Sequence, residues 1–201
     1  MAIRQLRLEG DPILRKMSRP VKEIDKRIKD LLDDMVETMY EDRGVGLAAP
    51  QVGILRRLIV VDVGEGPYKM VNPEIIDRSD EEQLDIEGCL SVPNLNGTVL
   101  RPEKVRIRYQ DEEGQDRELE ASGLFARCIC HEIDHLDGIL FRDRIDRIID
   151  MENPTEEMVA YLRDHGLMEQ EAEADAEDSG EGSGETTTQT PDENLSSGKE
   201  Q

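Results

Sequence analysis

The chain has 201 residues and a formal net charge of −22, and with no Trp, two Phe and four Tyr its core must be mainly aliphatic. No apolar run approaches the roughly 20 residues of a membrane-spanning helix, so no membrane partner is expected. The start, MAIRQLRLEG, lacks the continuous apolar stretch of a signal peptide. Three cysteines do not suggest a disulfide scaffold. We therefore expect a cytoplasmic protein in a reducing environment.

The negative charge is unevenly distributed along the chain. Residues 169–201 contain 11 acidic residues and one Lys, a net charge of −10, and the first 168 residues carry −12. Phosphate contacts need clustered Lys and Arg, so direct nucleic-acid binding is not predicted. The last 33 residues contain one Leu and no other large apolar residue, too little apolar surface to offset the entropy lost on ordering. The sequence thus predicts a folded domain at 1–168 and an acidic disordered tail at 169–201.

Apolar periodicity predicts the first elements. Residues 21–42 are predicted to form one long amphipathic helix that stops at Gly44. The segments RRLIVVDV at 56–63 and YKMVNPEII at 68–76 are typical of strands. Apolar and polar residues alternate on both sides of DEEG, which predicts a hairpin over 104–123. The apolar positions of the long helix are Ile24, Ile28, Leu31, Met35 and Met39.

Two further helices complete the prediction. One runs from about Gly123 to Asp137, with Ser122 as its N-cap and Gly138 as its C-terminal stop. A shorter final helix begins after Pro154. The predicted fold class is α+β, with strands that precede a helix rich in metal-binding side chains.

The segment CICHEIDHLDG contains two of the three His residues of the chain. His131, Glu132 and His135 match H-E-x-x-H, and on a helix the two imidazoles lie four residues apart on one face, where both can reach a single ion. Glu132 remains close to that face. The alternative is a chance pair of surface histidines, but His is scarce here and the segment is predicted to be helical. We therefore expect a metal site.

A catalytic metal usually has three protein ligands, so a third is needed. Cys130 points about 100° away from His131, and Cys128 lies about 7.5 Å along the helix axis from the ion position, too far for a roughly 2.3 Å metal–sulfur bond. Cys128 is therefore expected to be a pocket wall or core residue. Cys89, in IEGCLSVPN, is the remaining thiol, either a ligand or a buried apolar-like residue. His165 is expected to be a surface residue at a helix end.

The glycine-rich segment GVGLAAPQVG, residues 44–53, lacks the order and the Lys of a phosphate-binding loop. It is either a small-residue turn that ends the long helix or a place where the backbone approaches a ligand closely. Gln51 carries two amide hydrogens, which suit the stabilisation of a developing oxyanion.

Three segments together resemble the signature motifs of bacterial peptide deformylases: GVGLAAPQ at 44–51, EGCLS at 87–91 and HEIDH at 131–135. The resemblance covers about residues 1–150. It implies a hydrolase that removes the N-formyl group from formyl-methionyl nascent peptides and releases formate. It also implies antiparallel sheets packed around a central metal-binding helix, with a long N-terminal and a short C-terminal helix.

The resemblance implies a role for each residue at a matching position. The family usually holds Fe(II), and zinc, nickel or cobalt can occupy its site. Some members contact ribosomes through a basic C-terminal helix, but the acidic tail here has the wrong sign for RNA, so at most transient ribosome contact is expected. The implied metal ligands are Cys89, His131 and His135; the general acid/base is Glu132; the oxyanion donors are the Gln51 side chain and the Leu90 N–H; and the substrate-binding residues are Val45, Gly46, Gly88, Leu124 and Cys128.

The chain departs from the family pattern at position 130, where Cys replaces the usual Gln, and we expect this position on another helix face to tolerate the change. A zincin-type endopeptidase also carries H-E-x-x-H, but it needs a downstream ligand, and the chain offers only His165 and acidic residues there. A non-catalytic metal-binding protein is the other alternative. It would not need Glu132 or Gln51.

Overall fold

The computed structural model describes residues 2–168, so the predicted tail at 169–201 lies outside the described residues. None of the helices in the described range is long and apolar enough to cross a membrane. The helices and strands are α1 Lys26–Glu41, β1 Gly46–Ala48, β2 Leu58–Val61, β3 Tyr68–Arg78, β4 Glu82–Cys89, β5 Val92–Pro102, β6 Lys104–Gln110, β7 Asp116–Ser122, α2 Gly123–Leu136, β8 Ile145–Ile149 and α3 Glu156–Asp164.

The strands form two antiparallel sheets, which confirms the predicted α+β class. One sheet has five strands in the order β1-β2-β3-β6-β7, and the other has three in the order β4-β5-β8. Helix α2 packs against β1, β2, β6 and β7 of the first sheet and against β5 of the second. The helix that carries the metal motif therefore contacts both sheets.

Strand β2, with the sequence LIVV, is apolar at every position because both of its faces are buried. Ile59 and Val61 pack in the cluster that contains α2, whereas Leu58 and Val60 pack in the cluster that contains α1. All four side chains are fully buried. A strand covered by helices on both faces needs apolar residues at every position rather than at alternate ones.

Helix α1 is shorter than predicted at both ends. It begins at Lys26 because the Asp25 carboxylate accepts a hydrogen bond from the Ile28 N–H at 3.0 Å and caps the helix there. At the other end the helix stops at Glu41, and the left-handed residue that terminates it is Arg43, with φ of 56°, rather than the predicted Gly44. Periodicity identified the apolar stripe correctly but cannot place caps.

The predicted hairpin over 104–123 and the helices at 123–137 and after Pro154 are confirmed. Strands β6 and β7 pair from Lys104 with Ser122 onward. Thr155 caps α3 by accepting a hydrogen bond from the Met158 N–H at 3.2 Å. Ser122 does occupy the N-cap position of α2, but its side chain makes no capping hydrogen bond.

Sequence analysis missed β1, β4, β5 and β8. Proline usually limits a strand, but Pro93 lies inside β5, where the pairing jumps from Cys89 with Val92 to Gly88 with Asn96. The residues between Val92 and Asn96 bulge out of the ladder, and a bulge tolerates proline because no ladder hydrogen bond is required there. The bulge lines the cleft described below.

Candidate metal centre

A cleft of about 370 Å³ opens between β1, the turn that joins β4 to β5, and α2. Strands β1 and β4 are each at the edge of their sheet, so backbone groups of both sheets border the cleft. All five residues with an implied substrate-binding role line it: Val45, Gly46, Gly88, Leu124 and Cys128.

Cys89, His131 and His135 converge on one point beside this cleft. One ligand atom from each lies within 4.8 Å of the other two. Cys89 is the last residue of β4, and its Sγ lies 3.2 Å from His135 Nε2. The two imidazoles project from one face of α2, with ring centroids 5.0 Å apart. The pairing of β4 with β5 brings the thiol to the helix from 42 residues away in the sequence.

The chemistry of these donors fits a divalent transition metal. A thiolate and two imidazoles suit zinc, iron, nickel or cobalt better than calcium or magnesium, which prefer oxygen ligands. His131 Nδ1 lies 2.9 Å from a carboxylate oxygen of Glu87, which leaves its Nε2 directed to the site. A metal held by these three residues would retain a coordination position for water or substrate, as catalytic sites require.

Burial shifts the pKa values of the charged groups at this site. Burial raises the pKa of Glu132 to about 7, although nearby His131 partly opposes the shift. For His131, burial disfavours the charged form, but Cys89 and Glu87 outweigh it and raise its pKa to about 10. Burial and the neighbouring His131 instead lower the pKa of His135. Glu132 therefore titrates close to neutral pH, where a proton-transfer group is most effective.

The Gln51 side chain is buried and held in one orientation. Its Oε1 accepts a hydrogen bond from the Ala48 N–H at 2.8 Å, so the amide NH₂ faces the site. Nε2 lies 3.2 Å from Ser91 Oγ and 3.7 Å from Cys89 Sγ. Leu90 lies in the turn directly after Cys89 and also lines the cleft. The amide of Gln51 and the backbone at Leu90 are thus adjacent to the same thiol.

The two cysteines of α2 lie outside the metal-binding group. Cys128 is 4% exposed and its thiol donates to the Val45 carbonyl oxygen at 3.3 Å. Cys130 is equally buried, in the cluster between α2 and the five-stranded sheet. Burial raises the pKa of both thiols, which keeps them protonated. His165 is exposed at the end of α3, with Nδ1 2.7 Å from the Tyr161 carbonyl oxygen.

The glycine segment approaches the site closely, one of the two alternatives that its sequence left open. A Cβ at position 46 would overlap Glu132 Oε1 and would lie 2.8 Å from Cys128 Sγ. A Cβ at position 44 would lie 2.7 Å from Leu90 Cδ1. Gly44 and Gly46 are needed for space, not for a left-handed backbone.

A buried ionic network behind the metal ligands was not found from the sequence. Glu87 accepts hydrogen bonds from Arg101 at 2.9 and 3.0 Å and from Arg127 at 2.7 Å. Asp134 accepts from Arg101 at 2.5 Å and from Arg144 at 2.5 and 2.6 Å. The only signal in the sequence is the presence of Arg127 and Asp134 in a helix whose other residues are mostly apolar. Buried charges in such a position must be paired.

The fold and the thiol, imidazole and carboxyl groups of this site are those of a mononuclear metal-dependent hydrolase. Comparison with known proteins gives the particular family: polypeptide deformylase matches residues 3–150, and the chain belongs to that family. It is 55% identical to a peptide deformylase of Caldanaerobacter subterraneus subsp. tengcongensis over 152 residues, which is 76% of this chain and 95% of that one. A peptide deformylase of Agathobacter rectalis is 57% identical over 146 residues, 73% of this chain and 92% of its own.

Solved structures give the same result. The crystal structure of a peptide deformylase from Thermotoga maritima superposes with a TM-score of 0.72 at 44% identity, and the match covers 73% of this chain and 99% of that one. An actinonin-bound class I type b peptide deformylase from Acinetobacter baumannii superposes with a TM-score of 0.69 at 41% identity, covering 73% and 100% of the two chains. The sequence-based family prediction is confirmed.

Proposed function

We propose that this enzyme removes the N-formyl group from the formyl-methionine of newly made polypeptides, with Cys89, His131 and His135 as metal ligands. The observation that carries the proposal is the convergence of these three side chains within 4.8 Å in a chain of the polypeptide deformylase family. The catalytic domain is proposed to be residues 1–168, which include the whole family match at 3–150.

Glu132 is proposed as the proton carrier. Its carboxyl group is buried beside the metal-binding group, with one oxygen that has no hydrogen-bond partner among the described residues. A carboxylate there accepts a proton from the attacking water, and the resulting acid then protonates the leaving amine as the C–N bond of the formamide breaks. A pKa of about 7 allows both transfers near neutral pH.

A bound ion would supply Lewis acidity, which lowers the pKa of water and polarises the formyl carbonyl. The chain itself is proposed to stabilise the oxyanion through the Gln51 amide and the Leu90 N–H. Because Oε1 of Gln51 is occupied by the Ala48 N–H, only the donor end of the amide is available to the substrate. Because the Gln51 amide is already held in this orientation, it does not need to reorient during the reaction.

The two sheet edges at the cleft support an extended peptide as substrate. Peptides add to exposed edges through backbone hydrogen bonds, and here Val45, Gly46 and Gly88 are proposed to contact the peptide backbone. Leu124 and Cys128, with Val45, are proposed to form the wall of the methionine pocket. Val45 and Leu124 are 47% and 54% exposed, so apolar surface is available for the methionine side chain.

Fe(II) is proposed as the physiological ion, with zinc, nickel or cobalt as substitutes that the same donors accept. A bacterial cytoplasmic location is proposed as well. It is supported by three free cysteines at positions 89, 128 and 130. Nascent chains as substrates imply transient encounters with ribosomes, and the net charge of −22 opposes RNA binding.

The test is anaerobic purification, metal analysis and a formate-release assay on formyl-Met-Ala-Ser. Metal-loaded protein is expected to release formate, and Glu132→Gln is expected to retain metal but lose at least about a hundredfold in kcat. Metal-loaded protein that releases no formate would exclude the proposed activity. Cleavage of internal peptide bonds would favour an endopeptidase instead.

A further inference from the structure

We infer that Arg43 selects formylated peptides that carry an acidic side chain within three residues after the methionine. The inference deepens the proposed function and rests on it. It assigns a preference among substrates to one residue at the mouth of the cleft, outside the proposed catalytic machinery.

Arg43 is the only exposed charged residue among those that line the cleft within residues 2–168. The other charged lining residues, Glu87, Arg127, His131 and Glu132, are all buried. No hydrogen bond or ion pair engages the Arg43 guanidinium in the described part of the chain. The mouth of the cleft therefore presents a free cation, although the protein as a whole is strongly acidic.

The backbone at Arg43 is a second, independent observation. Its N–H donates to the Tyr40 carbonyl at 3.0 Å, and the Gly44 N–H donates to the Met39 carbonyl at 2.8 Å. These two bonds form a Schellman motif, in which the left-handed position is usually occupied by Gly. The only other non-glycine residues with positive φ are asparagines, Asn72 and Asn94, within the described residues.

A left-handed conformation is unfavourable for Arg because its Cβ approaches the following carbonyl oxygen, and residues held this way concentrate at functional sites. The helix end thus holds Arg43 in an unfavourable conformation at the mouth of the cleft. We interpret this unfavourable backbone conformation as a consequence of placing a cation at the mouth of the cleft.

The position of Arg43 limits which substrate residue it can meet. Three peptide units separate it from Gly46, so their Cα atoms are at most about 11 Å apart. An extended substrate advances about 3.3 Å per residue. For a substrate that pairs with Gly46, as proposed, and runs towards Arg43, the Arg side chain reaches a carboxylate on one of the first three residues after the methionine.

The experiment compares formyl-Met-Ala-Glu, formyl-Met-Ala-Gln and formyl-Met-Ala-Lys, each with an amidated C-terminus that removes the terminal carboxylate. The unmodified enzyme is expected to prefer the Glu peptide over the Lys peptide by about threefold or more in kcat/KM at low salt. The ratio should approach one at high salt, because exposed charges are screened. Arg43→Gln should abolish the preference, and Arg43→Glu should reverse it.

Arg27→Glu is the matched control. It makes the same charge change on the first turn of α1, about 21 Å along the axis from the Glu41 end that precedes Arg43, and is expected to leave the ratio unchanged. An equal shift from Arg27→Glu would overturn the inference, because total charge would then explain it. The inference would also be overturned if Arg43→Glu left the ratio of kcat/KM for the Glu and Lys peptides unchanged. The same holds if Arg43→Gln lowered the melting temperature without changing that ratio. Absence of formate from all three peptides would instead overturn the proposed function.

Discussion

Glu87 and His131 are joined by a buried hydrogen bond of 2.9 Å between a carboxylate oxygen and Nδ1. The bond keeps a proton on Nδ1, so Nε2 is the nitrogen that gives up its proton and becomes available to an ion. Glu87 is in turn held by Arg101 and Arg127. The orientation of one proposed metal ligand thus depends on a residue of β4 and on arginines of β5 and α2.

Glu87→Gln is expected to weaken metal affinity by about 10- to 100-fold, the usual effect of removing a carboxylate behind a histidine ligand. Competition with a chromophoric chelator measures the change. Glu82→Gln, the same chemical change at an exposed position earlier on the same strand, is the control and should retain full affinity. Equal metal affinity in both variants would mean that packing alone orients His131.

Cys89→Ala is expected to abolish metal retention, whereas Cys128→Ala and Cys130→Ala should retain about one ion per chain. Only the Cys89 thiol lies within 4.8 Å of both imidazole ligand atoms. The other two thiols are buried and stay protonated. Metal content after gel filtration, with circular dichroism to verify folding, provides the measurement. Loss of metal from a folded Cys130→Ala variant would refute the ligand assignment.

Metal affinity is expected to increase with pH, by about tenfold or more per unit between pH 6 and 8. The pKa of His131 in the metal-free protein is raised to about 10, so an ion must displace its proton throughout this range, and a cysteine ligand also binds without its proton. Lower pH favours the protonated ligands and therefore opposes binding. Calorimetry in buffers of different ionisation enthalpy should detect at least one proton released per ion. An affinity that does not change with pH would contradict this prediction.

Gly46→Ala is expected to lower kcat by about tenfold or more with the fold retained, because the new methyl group would displace the Glu132 carboxyl group from its position. Gly44→Ala is the control. Its methyl group meets Leu90 Cδ1, the end of a flexible side chain that can move, so a smaller loss is expected. Formate-release kinetics on both variants measure the difference. A larger loss in Gly44→Ala would indicate that the Leu90 turn, not Glu132, is the more sensitive group.

The sequence predicted the metal-binding helix of the site more completely than it predicted the strands of the fold. His131, Glu132 and His135 were recognisable because helical spacing alone places two imidazoles on one face. Strand β4 was missed because its buried positions include Glu87 and because it is an edge strand that pairs only with β5. Leu84 and Ile86 are the only apolar residues among its first seven positions, too few for an alternation that stands out.

The sequence by itself determined the family, the α+β class and the helix with two histidines, because local periodicity and residue spacing are properties of neighbouring residues. Tertiary structure alone decided the convergence of Cys89 with that helix, the ion network behind His131 and the left-handed Arg43 at the cleft. The first two depend on groups far apart in the chain, which no local pattern reveals. The third depends on how the Arg43 and Gly44 N–H groups close the end of α1, which periodicity does not place.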